Sequence, residues 1–414
     1  MPKLIVLFVV AFVDMVGIAM VIPLLPYYAT DLGVGAVMVG VLISAFSLAQ
    51  LVCAPAWGRS SDRVGRRPAI LMGLGITALA YVMFAVADSI WLLLAARIVQ
   101  GLGGGTIGVV QAYVADASSG EDRTKSLGWL SAVSSMGAVV GPAIGSVAIS
   151  MAGRQAPGFA VAVIALLVAL FAWRYLGETE VGEVTAQHRA LAPTSGLVAI
   201  RKVATNLRDP AARLIWIYAI AIGAFYGTVP TMPLLLGDRL GITEHTIGYA
   251  IMYLGAMGVV VRSLVLGRMV DRFGEERLSR LGIVLLAGGL ALLGVTTSYA
   301  TLIASLTLMP LGTAFLFPAV TGQLSKVVAK GERGLYMGVQ HTFGGVSRVV
   351  FPVAAGLMMD HVGLGVPFVV AGALVLLTIP LTRCSLAVDG GRWTEECPQP
   401  STAPVSSWQR AASS

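Results

Sequence analysis

Apolar runs of about twenty residues alternate with short polar interruptions along nearly the whole chain. A helix rising ~1.5 Å per residue needs about that many apolar positions to cross ~30 Å of hydrocarbon. The pattern predicts twelve such helices, at 4–28, 36–56, 68–88, 90–113, 125–150, 156–176, 212–236, 245–267, 279–298, 300–325, 335–358 and 362–383. The connections are short except for 177–211. The opening MPKLIVLFVVAFVDMVG looks like a secretory signal, yet the apolar stretch continues past Asp14 to Tyr28 without a small-residue cleavage site. It is read as the first membrane helix. The expected fold is therefore an all-α membrane protein of about twelve transmembrane helices.

Composition agrees: 57% of the 414 residues are apolar and 12% charged, against about 45–50% and about 25% in soluble domains. The net charge of +7 could suggest a polyanionic partner, but its placement argues otherwise. With the N-terminus inside, the outer loops hold only Arg154 and Arg239, and Arg97, Arg262 and Arg348 lie within spans. The other 23 of 28 basic residues then fall on the inner side, which puts both termini in the cytoplasm and excludes nucleic acid as the reason for the charge. Arginine outnumbering lysine, short loops and the lack of an N-x-S/T signal favour a bacterial inner membrane. Three cysteines show no metal or disulfide spacing, and neither a metal nor a cofactor is expected. GLGGG at Gly101–Gly105 lies inside a span, so it does not read as a nucleotide loop. With no nucleophile–base motif either, an enzyme is the least supported class, and the expected energy source is an ion gradient.

The second half repeats the first at an offset of about 210 residues. Gly17, Pro23 and Leu24 meet Gly227, Pro233 and Leu234; Arg123, Gly128 and Pro142 meet Arg333, Gly338 and Pro352. The chain thus reads as two six-helix halves, 1–176 and 212–384, joined by a cytoplasmic linker at 177–211 and followed by a disordered tail at 385–414. Two such halves form a rocking transporter with substrate held between them. The turn GRSSDRVGRRPAI carries Gly58, Arg59, Asp62, Arg63, Gly65, Arg66 and Arg67, and returns as GRMVDRFGEER with Asp271 and Arg272. Gly65 would supply the bend and Pro68 begin the next helix. Asp62 is expected at the N-terminus of a helix in the opposite half, and Asp271 the reverse, as paired latches. The alternative is that the arginines only anchor the membrane interface.

Asp14 is the one acid well inside a span, where a carboxylate costs at least ~2.5–3.5 kcal/mol. Its repeat partner is Ala224, so the fold does not demand an acid there. Arg97 lies at similar depth, and the expectation is a proton-coupled pair, or else a structural ion pair. Arg97, Gly101, Gly104, Gly108 and Gln111 are spaced to share one helix face, and Gln100 beside them could bond substrate. His341, Gly345 and Arg348 share a face of the eleventh helix. His341 either titrates or is a hydrogen-bonded structural residue. Arg348 is too deep to reach an interface, whereas Arg262 is expected to snorkel. Phe225, Tyr226, Phe315 and Phe317 suit a cavity wall, or lipid and helix contacts. Gly137, Gly141 and Gly145 recur every four residues around Pro142, which gives a smooth face beside a bend.

These residues resemble the major facilitator superfamily, and within it the twelve-helix drug:proton antiporters, over about 4–384. GRSSDRVGRRP is similar to the superfamily's loop motif. RIVQG at Arg97–Gly101 is similar to a fourth-helix motif linked to proton coupling, and GAVVGPAIG at Gly137–Gly145 to the fifth-helix antiporter motif. DMVGIAMVIPLLP at Asp14–Pro26 is similar to the first helix of tetracycline exporters. Two positions depart: Ala80 stands where those exporters carry an acid, and Arg262 where a glutamine is usual. The resemblance implies a monomeric, proton-coupled exporter of small, largely apolar organic compounds, with lipid, protons and substrate as partners. An exporter of one metabolite, a lipid or amine carrier, and a non-transporting sensor are the competing readings.

Overall fold

The computed structural model describes residues 2–118, 120–177, 193–329 and 331–384. The expected tail from 385 and residues 178–192 of the expected linker lie outside them. Among the described residues, ten helices are long and apolar enough to cross a membrane, and Val366–Thr382 adds a shorter one. The longest, Ile247–Gly294, is interrupted by non-helical backbone at Gly274 (φ 74°, ψ 160°). It therefore holds two spans, and the total is the twelve that the hydrophobic pattern predicts. Gly65 takes the same conformation (φ 102°, ψ 154°) at the matching turn of the first half. Only glycine adopts this backbone without strain, so one sharp turn is written twice.

The first span is Pro2–Val21 continued by Leu25–Asp31, and the second to sixth are Ala36–Val64, Arg66–Ala85, Ile90–Gly103 with Thr106–Asp116, Gly120–Ala152 and Ala156–Tyr175. The seventh runs from Pro210–Thr228 through a 3-10 turn, Val229–Thr231, into Met232–Leu240. The eighth is Ile247–Val260 with a π turn at Val261–Val265, leading into Leu266–Gly294, whose part beyond Gly274 is the ninth. Tyr299–Val327, Arg333–His361 and Val366–Leu376 complete the set.

The break in the first span falls at Pro23, and that in the seventh holds Pro230 and closely precedes Pro233, the copy of Pro23; each proline removes a helix N–H. The fourth breaks at Gly104–Gly105, where three glycines in a row each cost about 0.5–1 kcal/mol relative to alanine in a helix. Carbonyls freed there are taken up by Gln50 Nε2, which donates to Gly104 O at 3.1 Å, and Trp57 Nε1, which donates to Leu102 O at 2.5 Å. Such repair is what permits irregular backbone inside a membrane.

Within the first half, Gly137, Gly141 and Gly145 lie on the first span, where a Cβ would come within 2.6–2.7 Å of Phe12 O, Val16 O and the Met20 side chain. In the second half the bulk is exchanged. Phe351, the copy of Gly141, sets its ring against Gly223 and its Cβ against Gly227 of the seventh span. Part of the expected linker is a helix, Pro193–Thr205. Its Ala199 and Val203 join the second half's core, Trp216 Nε1 donates to Val203 O at 3.1 Å, and Lys202 pairs with Asp209 at 2.8 Å. That hydrogen bond to Asp209 holds the Lys202 ammonium above the usual lysine range.

The halves meet at the end opposite the arginine-rich turns. Gly40 lies against Pro352 O and Gly248 against Pro142 O, each close enough to place a Cβ 2.2 and 2.1 Å from the carbonyl. Ser146 donates to Glu244 O at 2.7 Å and accepts from Gly248 N, and Tyr27 donates to Ile242 O at 2.8 Å. Asp360 accepts from Ala36 N at 2.9 Å and Val37 N at 3.0 Å. Among the described residues no hydrogen bond or ion pair is recorded between the halves around the arginine-rich turns. The molecule is closed at its far end and open at its basic end.

Candidate functional site

The opening leads into a cavity of about 890 Å³ between the halves. The first, fourth and fifth spans form one wall, and the seventh, eighth and tenth the other. Glycines make the room: a Cβ on Gly108 would meet nothing within 4 Å. Most of the lining is apolar, with Gln111, Ser131, Ser134, Ser135, Tyr226, Arg262 and Thr313 as polar exceptions.

Tyr226 is 45% exposed and its ring meets Phe225 edge-on at 5.1 Å, so both aromatics belong to the wall. Phe315 instead packs in a buried cluster with Val261, Leu278 and Ala314, and Phe317 packs on Tyr218 at 5.5 Å. Arg348 stands behind the wall with its guanidinium 5.8 Å from the Tyr226 ring, and its Nε is buried without a hydrogen-bond partner. His341 is exposed and its ring centre lies 6.4 Å from that of Tyr218; it is not a lining residue. Arg262 does not simply snorkel. It continues the stripe Leu254, Gly255, Gly258 and Val259 into the cavity wall, at the start of the π turn. The sequence held that signal in the 3–4 spacing from Gly255 and Gly258, read there only as distance from the helix end.

Arg97 departs from expectation in a different way. It is 1% exposed, and its Nε donates to Leu42 O at 3.3 Å while its guanidinium lies over the Phe46 ring at 4.7 Å. Its Nη1 donates to Gln100 Oε1, and Gln100 Nε2 donates to the Tyr81 hydroxyl at 2.6 Å. Gln100 is thus 6% exposed and part of this network, not a cavity residue. The break at Gly104–Gly105 ends the expected single face. Gly101 packs on Phe46 and Ala49 of the second span, whereas Gly108 and Gln111 turn to the cavity.

Asp14 and Arg97 make no direct contact: among the described residues no hydrogen bond or ion pair joins them, and Arg97 is held by Leu42 O and Gln100. Asp14 lines a crevice of about 10 Å³ with Leu74, Thr77, Thr106 and Ile107, a space near that of one water. It makes no hydrogen bond or ion pair with the described residues, but lies within electrostatic range of Tyr81. Gln100 and Tyr81 therefore stand between the acid and Arg97. Ile107 lines both the crevice and the large cavity, so one side chain partitions them. Tyr81 went unread in the sequence because its partners come from two other spans.

At the basic end Arg66 bonds Asp62 at 2.8 Å, Asp116 at 3.2 Å and Ser61 at 2.6 Å, all in the first half. Arg67 donates to Trp173 O at 2.5 Å. Gly58, Arg59, Arg63, Asp271 and Arg272 are exposed, with Arg272 over Phe273 at 5.6 Å. In this state Asp62 has a partner in its own half, and the cross-half latch is not made because the turns are apart. The far-end carboxylate, Asp360, was missed. Its signal was an acid in the last turn of its own helix, where the dipole disfavours it unless another helix's N-terminus is near.

The family model described as Major Facilitator Superfamily matches residues 7–262 and 214–409. Multidrug resistance protein 2 of Bacillus subtilis is 27% identical over 375 residues, covering 90% of this chain and 92% of its own. The class C tetracycline resistance protein of Escherichia coli is 30% identical, covering 89% and 93%. The crystal structure of the human organic anion transporter MFSD10 superposes with a TM-score of 0.66 at 23% identity, covering 92% of this chain and 99% of that one.

Proposed function

Since the chain belongs to the Major Facilitator Superfamily, we propose that it is a proton-coupled antiporter that exports small, largely apolar organic compounds by alternating access. The observation that carries this reading is the large cavity beside the small crevice of Asp14, with Ile107 between them. Substrate occupies the first and the proton the second. Protonation of Asp14 removes a charge beside Tyr81, and Tyr81 passes the change through Gln100 to Arg97, which is held on the second span. The second span carries both Asp62 and the far-end contact with Asp360, so it links the proton site to both gates. Names of the relatives (multidrug, tetracycline, organic anion) have in common a small organic solute.

When the molecule rocks, the far-end contacts part and the basic end closes. Asp62 and Asp271 then latch the halves. The basic turns lie in the cytoplasm, so the cavity loads from inside the cell. Each proton returning down the membrane potential supplies ~2.3 kcal/mol per 100 mV if exchange is electrogenic. That sustains about a fortyfold gradient of a neutral compound in one-for-one exchange, at ~1.4 kcal/mol per tenfold.

Full-length protein in proteoliposomes with an imposed pH gradient tests the reading with a panel of labelled drugs. Accumulation that collapses when the gradient is dissipated is expected. Binding of panel members with no gradient-driven accumulation would make the protein a sensor instead.

A further inference from the structure

The charge of the cavity wall singles out a substrate class. Among its lining residues the only charged one is Arg262; no Asp, Glu or Lys is among them. The acid nearest in sequence to the wall, Asp14, faces its own crevice. Glu244 and Asp360 belong to the closed far end. The Arg262 side chain is exposed on the cavity side and makes no hydrogen bond or ion pair with the described residues, so its donors are free for a ligand.

What stands opposite Arg262 follows from helix register. The fifth and eighth spans run antiparallel and touch where Gly255 meets Val139. Seven residues on from Gly255 in the eighth span and seven back from Val139 in the fifth, Arg262 comes level with the turn that holds Ser131 and Ser135. Both serines line the cavity, and neither hydroxyl is bonded to a described residue. By contrast Ser134 spends its hydroxyl on Leu130 O and Thr313 on Pro310 O. A fork of guanidinium donors on one wall thus faces two unspent hydroxyls on the other. Nearby, Phe225 and Tyr226 offer an aromatic surface, and the Arg348 cation behind Tyr226 adds positive potential. Donors of this kind match a carboxylate, and the aromatic wall matches a flat apolar body.

We infer that the cavity takes amphipathic organic anions, an aromatic carboxylate being the simplest, with Arg262 as the residue that binds the anionic group and selects against cations. Arg262 is the second residue of the π turn Val261–Val265, and such turns occur often at functional sites. This inference rests on the transport reading for its meaning but not for its measurement.

Equilibrium binding to the full chain in nanodiscs tests it with three probes of one ring system: 2-naphthoate, neutral 2-naphthamide and the 2-naphthylmethylammonium cation. 2-Naphthoate is expected to bind at least about tenfold tighter than the cation. Arg262→Gln should remove that preference while leaving 2-naphthamide within about twofold, and Arg262→Lys should keep most of it. An unchanged elution profile and melting temperature in Arg262→Gln, together with retained 2-naphthamide binding, separates this result from misfolding. Equal or tighter binding of the cation overturns the inference, as does an intact preference in Arg262→Gln or the failure of all three probes to bind. 2-Naphthoate preference without gradient-driven uptake would sink coupled export and leave the anion site standing. Uptake of the cation without any preference for 2-naphthoate would do the reverse.

Discussion

In the proposed mechanism Asp14 and Arg97 act through a relay in place of a buried pair. Two charges at one depth would neutralise each other on contact, and the coupling would then depend on breaking a strong bond. Here Arg97 is satisfied by Leu42 O, Phe46 and Gln100, so Asp14 can change charge without leaving a bare guanidinium. Asp14→Asn, which cannot titrate, should therefore abolish uphill accumulation while changing substrate affinity by less than about threefold. Inverted vesicles with and without a pH gradient provide the measurement. Parental accumulation in the variant would move the proton site away from Asp14. The variant should also keep its melting temperature within a few degrees, because no described partner loses a hydrogen bond.

At the scale of helices, the fifth and eleventh spans carry two jobs on opposite faces. One face of the fifth packs its glycines on the first span, and the other offers Val139, Pro142 and Ser146 to the eighth. The eleventh repeats the outer contact through Pro352 and Gly40, but swaps glycine for Phe351 on its inner face. Each Pro–Gly contact brings backbone against backbone, so a side chain there must separate the halves. Gly248→Leu is expected to destabilise the far-end seal by about 1–3 kcal/mol. Spin labels at Gln155 and Thr243, exposed on opposite halves of that end, should report a longer and broader distance distribution. A distribution identical to the parent's would show that this contact does not hold the seal.

In the proposed cycle the whole molecule balances one latch against another. Asp360 caps the second span from the opposite half, where the span's own N-cap, Gly35, offers no side chain. A carboxylate at a helix N-terminus stabilises by up to ~2 kcal/mol in partly buried geometry. Asp360→Asn should thus shift the population toward the far-end-open state by about 5–30-fold. Asp62→Asn should shift it the other way, since in the present state Asp62 is bound within its own half and its proposed cross-half partner exists only when the basic end closes. Distances between labelled halves, read for both variants in one lipid, check the pair of signs. Equal shifts in the same direction would dissolve the picture of opposed latches.

The sequence by itself determined the twelve spans, the duplicated halves and the glycine turns, because each follows from local properties of the chain. Twenty apolar residues must be a helix in hydrocarbon, and Gly65 and Gly274 must bend where φ is positive. The depth of Asp14 and Arg97 was legible for the same reason, as rise per residue is constant. Direction around the helix was not, since it depends on breaks whose size no spacing rule supplies. The Gly104–Gly105 break separates Gln100, which bonds Tyr81, from Gln111, which lines the cavity. Contacts between halves were likewise decided only by tertiary packing. Asp360 meets Ala36 and Pro142 meets Gly248 across more than a hundred residues of chain, and a sequence records the neighbours along a helix but not those brought against it.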